Sequence, residues 1–200
     1  IDTESAVEMI KWRAQKYNLV DVYPIASITK GQEGKELSEY GILKRSGAVA
    51  FSDDGKTVKD TGVMRRAFDY AKAFGALIIS HCEDRDLAGA GVMHEGEVST
   101  YLGLPGVPSA AEEIIIAREI ALAELTGGNL HICHVSTKKG VELIRNAKER
   151  GIKVTAEATP HHFTLDHTAV KEYDPNTKVN PPLRTKEDVE EIIKGLKDGS

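Results

Sequence analysis

Four short clusters in the chain combine residue types that can do chemistry: "FSDDG" at 51–55, "SHCED" at 80–84, "HICHVS" at 131–136 and "PHHF" at 160–163. Each lies at the end of an apolar run and brings Asp or His. Imidazole nitrogens and carboxylate oxygens are ligands for zinc and similar divalent ions, and a catalytic ion of this kind keeps a coordination position for water. The pKa of that water falls to about 7, so hydrolysis becomes accessible at neutral pH. A carboxylate shared between two ions would hold a bridging hydroxide, and the residue types suit one or two divalent ions.

Pleat alternation narrows the candidates, because successive side chains of a strand point to opposite faces. Ala50, Ser52 and Asp54 share a face; so do Leu77, Ile79 and His81, and so do Leu130, Ile132 and His134. If those faces line one pocket, Asp54, His81 and His134 converge as metal ligands, and His131 and Cys133 turn toward packing. Asp53-Asp54-Gly55 also reads as a turn signal. Cys82 and Cys133 read as small buried side chains, and His94 and His167 as solvated loop residues. For His161 and His162 a pocket role and a structural role are both open.

The elements that must position these residues alternate between strand and helix. A helix is expected over Thr3–Tyr17, with a stripe of Ala6, Val7, Met9, Ile10 and Ala14. Strands are expected at Leu19–Thr29, Gly47–Gly55, Ala76–Asp84, within Gly127–Gly140, and at Lys153–Leu165. A helix over Thr61–Phe74 stops at Gly75. Ser109 and Glu112 have capping-box spacing ahead of Ile114, Ile115, Ala117, Ile120, Ala121 and Leu125. A short helix at Lys139–Gly151 and a last one from near Thr185 to before Gly199 complete the set. The Gly-rich connection Leu87–Pro108 shows no regular pattern, and such long loops are commonly functional or mobile.

Repeated strand–helix units imply parallel βαβ architecture. No glycine-rich dinucleotide or P-loop motif follows a strand, which excludes those phosphate sites. A (β/α)8 TIM barrel needs about 250 residues. About five βα units in 200 residues therefore predict a partial TIM barrel, with residues 1–200 as the central part of one barrel domain. The start at Ile1 without Met and the strand expected after Ser200 predict a piece of something longer. In a parallel barrel, the C-terminal strand ends carry the active site, and the four clusters lie there.

The formal charge of −5, with no Lys/Arg run, argues against nucleic-acid or anionic-membrane partners. No apolar stretch approaches the roughly 20 residues of a membrane span. Two cysteines make no disulfide framework, so a reducing cytoplasm and a small-molecule partner are expected.

Taken in order, "VAFSDDG", "SHCED", "GEVSTYLGLPGVPSAAEE", "HICHVSTKKG", "ATPHHFTL" and "VNPPLR" resemble the central part of the dihydroorotases, cyclic amidohydrolases built on a metal-dependent TIM barrel. The resemblance spans essentially the whole chain. It implies that Asp54 is a metal-ligating, bridging aspartate, that His81 and His134 are metal ligands, and that Asn180 contacts the pyrimidine substrate. Related hydantoinases and allantoinases carry a carbamylated lysine at this strand end. Here Lys56 falls beyond Gly55, which favours the branch in which Asp replaces it. The family's His-x-His motif, a substrate arginine and a substrate asparagine come from segments before Ile1. Its late aspartate, both metal ligand and general base, would follow Ser200, so the isolated chain is expected to be inactive.

The resemblance further implies zinc, as one or two divalent ions, interconversion of N-carbamoyl-L-aspartate and L-dihydroorotate, and a homo-oligomer or an association with aspartate transcarbamoylase. Two competing readings are a hydantoinase- or allantoinase-like amidohydrolase and a non-catalytic dihydroorotase-like scaffold subunit. A metal-free barrel lyase or isomerase leaves the convergent histidines unexplained.

Overall fold

The computed structural model describes all 200 residues, which form two compact units. One comprises Ile1–His81 with Ala121–His131, the other Cys82–Ile120 with Ile132–Ser200.

In the first unit, helix α1 (Glu4–Tyr17) leads to strand β1 (Ile25–Ala26), helix α2 (Tyr40–Ser46), strand β2 (Ala50–Ser52), helix α3 (Thr61–Ala73) and strand β3 (Leu77–Ser80). Both β1–β2 and β2–β3 pair in parallel. Their register aligns Ala26, Phe51 and Ile78 in one row, and all three are fully buried. Phe51 stacks on Tyr40 with ring centroids 4.0 Å apart, and Tyr40 stacks in turn on Tyr70 at 4.8 Å. Asp60 caps α3 by accepting from Val63 N at 2.7 Å, and the helix buries Val63, Met64, Ala67, Phe68 and Ala71. This aromatic and aliphatic layer is what holds β2 and β3 side by side.

The second unit holds α4 (Arg85–Ala88), β4 (Met93–His94), α5 (Glu97–Leu102), β5 (Gly106–Val107) and the start of α6 (Ala110–Thr126). After β6 (Asn129–Ile132) come α7 (Lys138–Glu149), β7 (Val154–Ala156), three 3-10 segments and α8 (Lys186–Asp198). Packing of α7 on α8 is close: a Cβ on Gly195 would meet Val141 Cγ1 at 2.9 Å. In the first unit β1, β2, β3 and β6 lie side by side in that order, with strands in chain order. No helix is long and apolar enough to cross a membrane.

Several expected elements differ. The first strand shrinks from Leu19–Thr29 to two residues behind Pro24, a residue that cannot donate to a ladder, and Leu19 and Val20 are exposed. The fifth strand stops at Ala156 and Pro160 opens a 3-10 turn instead. Helix α2 was not anticipated, being only two turns long. The connection 87–108 is ordered: β4 and β5 pair in parallel, Met93 with Gly106 and His94 with Val107. Gly106 permits this, since a Cβ there would lie 2.4 Å from Glu95 Cα. His94, expected in solvent, is buried within that excursion. Glu112, expected in a capping box with Ser109, instead directs its carboxylate to the backbone N–H groups of Ser136 and Thr137, where two donors outweigh one.

Candidate active site

The first unit brings Asp54 and His81 together. The ladder ends with Ser52 paired to Ile79, and Asp54 and His81, each two residues further on, meet just beyond it. Asp54 Oδ1 lies 3.7 Å from His81 Nδ1; the imidazole is buried while the carboxylate is largely exposed. The neighbouring Asp53 does different work. It is buried, and its carboxylate accepts from Ile28 N at 2.8 Å, from Thr29 N at 3.1 Å and from the Thr29 hydroxyl. Burial raises its pKa, and the hydrogen bonds from Thr29 and Ile28 oppose the shift. Asp53 thus anchors the turn, closed by Lys56 N to Asp53 O at 2.8 Å, that presents Asp54. From the loop between β2 and α3, the Thr57 hydroxyl donates to the His81 carbonyl at 2.9 Å.

In the second unit His134 lies two residues beyond the end of β6, in left-handed backbone with φ 38°. Glu157 N donates to Ile132 O at 3.0 Å, and Val135 N donates to Glu157 O at 2.9 Å. In an uninterrupted parallel ladder the second donor would be residue 134, so one extra residue is inserted here, a β-bulge. Bulges re-aim side chains, and His134 takes its direction from this one. Alternation with Leu130 and Ile132, which are buried, does not extend to it. His131 and Cys133, expected to pack, are only half-buried.

Asn180 is exposed and lines a cleft of about 220 Å³ with Glu83, Arg85, Lys178 and the glycines 89 and 91. Beside it, His162 Nε2 lies 2.8 Å from Pro181 O. A carbonyl only accepts, so Nε2 carries the proton and donates. His162 Nδ1 therefore accepts from the Thr159 hydroxyl at 2.7 Å, and the Thr159 oxygen accepts from His161 Nε2 at 2.8 Å. Burial lowers the His162 pKa to about 4, which keeps the ring neutral in this relay. His94 is alike: Arg184 Nη1 donates toward its Nδ1 at 3.3 Å, and burial, with the Arg184 charge, lowers its pKa to about 4. Spacing alone gave no sign of these buried histidine contacts; the Thr-x-His-His run of 159–162 was the one available cue.

A protein-family model described as dihydro-orotase-like matches residues 2–140. The chain is 56% identical over 199 residues to a protein named dihydroorotase from Acetivibrio thermocellus, covering 100% of this chain and 47% of that protein. It is 54% identical over 200 residues to one of the same name from Caldanaerobacter subterraneus, covering 100% of this chain and 46% of the other. The chain thus spans about half the length of the curated relatives it matches. Among solved structures it resembles an L-hydantoinase (dihydropyrimidinase) from Arthrobacter aurescens, with a TM-score of 0.78 at 24% identity, covering 98% of this chain and 45% of that one. This last likeness carries the fold.

Two outcomes follow from the geometry. Asp53→Ala strands three buried donors and should lower the unfolding free energy by about 3 kcal/mol or more. Asp54→Ala, at an exposed carboxylate, should change it by less than about 1 kcal/mol; chemical denaturation giving equal losses would contradict the division of labour. The second outcome concerns pH. Both His94 and His162 have folded pKa values below the unfolded value of about 6.5. The unfolded chain therefore binds more protons between pH 6.5 and 4, and stability falls as pH drops through that window, by up to about 1.4 kcal/mol per pH unit for each histidine. The His94→Gln/His162→Gln variant should show a shallower fall, and an unchanged slope would refute the assignment.

Proposed function

The chain belongs to the dihydro-orotase-like family, and on that footing we propose that the full-length protein interconverts N-carbamoyl-L-aspartate and L-dihydroorotate. The observation that carries the proposal is the identity, at 56% and 54% along the whole chain, with proteins named dihydroorotase. Asp54, His81 and His134 are proposed as ligands of one or two divalent ions of the zinc type. Their donor set, one carboxylate and two imidazoles, has the chemistry such an ion takes. When bound, the metal supplies Lewis acidity toward the ring amide carbonyl and makes water a stronger nucleophile at neutral pH.

The remaining roles belong to side chains. Asp53, tied to Ile28 and Thr29, fixes the turn from which Asp54 projects. Thr57 steadies the backbone of His81. Asn180, on the wall of the cleft, is proposed to hydrogen-bond the pyrimidine ring and hold its amide in place. Hydrolysis adds water across the ring C–N bond: the hydroxyl joins the carbonyl carbon and the proton goes to the ring nitrogen. Small molecules are the proposed partners and the cytoplasm the proposed location; the acidic charge and low cysteine content support both.

Purified full-length protein supplied with zinc should cyclise N-carbamoyl-L-aspartate and hydrolyse L-dihydroorotate, and Asn180→Ala should raise KM for dihydroorotate at least about tenfold, the loss of a substrate hydrogen bond. Turnover of hydantoin or allantoin in place of dihydroorotate would overturn the substrate assignment.

A further inference from the structure

Beneath the cleft at Asn180 lies a buried polar cluster built from three separate stretches of the second unit. Glu112, at the head of α6, uses Oε1 to accept from Ser136 N at 2.8 Å and Thr137 N at 3.3 Å, and Oε2 to accept from the Ser136 hydroxyl. Arg184 uses every edge of its guanidinium. Nε donates to Ser136 Oγ at 3.1 Å, Nη1 donates to Val107 O at 2.8 Å, and Nη2 faces Glu112 Oε2 at 3.5 Å. The Ser136 hydroxyl thus donates to Glu112 and accepts from Arg184, with no conflict of roles. Both charged side chains are almost completely buried, at 2% and 4% exposure. Backbone adds a fourth tie, His167 N to Arg184 O at 2.8 Å.

The positions of these residues in the chain give the cluster its meaning. Ser136 is two residues past His134; Arg184 is four residues past Asn180; Val107 ends the excursion that begins after Glu83 and Arg85, two other residues of the cleft wall. We propose that Glu112 and Arg184 form a buried clamp that positions Asn180 for substrate against the strand end carrying His134. Neither residue touches substrate; both act through the segments they hold. The fork of Arg184 is required because three acceptors lie in three directions, which an ammonium on a flexible stem cannot reach together. The inference rests on the proposed dihydroorotase reading for its kinetic form, though the clamp itself can be read without turnover.

The test uses full-length protein in four forms: wild type, Arg184→Lys, Asn180→Ala and the double variant. Arg184→Lys keeps the charge beside Glu112 but loses the fork, and misplacing a substrate contact costs at most what its removal costs, about tenfold in kcat/KM for one hydrogen bond. Expected is a fall of that order for Arg184→Lys, mainly through KM, with metal content retained. In the Asn180→Ala background the same change should cost less than about threefold, because the contact it positions is gone. A full and multiplicative loss in the double variant would show a purely structural role and overturn the clamp. Amide hydrogen exchange supplies the second readout: in Arg184→Lys, protection should fall in residues 134–137 and 179–184. Unchanged protection there overturns the clamp whether or not the wild type turns over dihydroorotate. Absence of wild-type turnover, with the exchange change present, overturns the substrate reading alone.

Discussion

A charged pair that cannot reach water organises the second unit. Removing a carboxylate and a guanidinium from solvent is costly, and their mutual attraction offsets that cost only when other hydrogen bonds satisfy the remaining atoms. Glu112 and Arg184 meet this condition through Ser136, Thr137 and Val107. Deleting one partner would leave the other buried and unpaired, a loss of about 3–5 kcal/mol in typical cases. The cluster therefore fixes, with little freedom, where the head of α6, the end of β6 and the segment after Asn180 sit in that unit.

The candidate ligands are delivered by two different devices. In the first unit, register and a turn do the work: the Ser52–Ile79 pairing sets the two strand ends level, and Asp53 anchors the turn that presents Asp54 beside His81. In the second, a bulge does it. The extra residue between the two backbone bonds to Glu157 turns His134 out of the strand's alternation. Both devices are local, short-range consequences of backbone hydrogen bonding, and both stand on packed layers beneath them, Phe51 with Tyr40 in one unit and α7 with α8 in the other.

Much of this was legible in the sequence. Apolar runs ending in Asp or His marked the strand ends, and the βα alternation predicted the parallel sheet. Strand lengths were overestimated because Pro24 and Pro160 interrupt ladders that hydrophobicity alone would continue. The alternation rule put Asp54, His81 and His134 on aligned faces; the Ser52–Ile79 pairing leads toward the first two, whereas at His134 a bulge intervenes, and a bulge leaves no trace in a period-two pattern. Glu112 was misread because its spacing from Ser109 satisfies a local rule, whereas its actual partners lie 24 and 25 residues away. His94 was taken for a loop residue because nothing in the sequence says that Val107 and Arg184 close over it.

The account turns on which histidine of "HICHVS" serves a metal. Metal content measured on full-length wild type, His134→Ala and His131→Ala, each purified identically and loaded with zinc, tests this most directly. The account predicts that His134→Ala loses bound zinc while His131→Ala keeps the wild-type amount. Equal loss in both variants, or loss confined to His131→Ala, would contradict it.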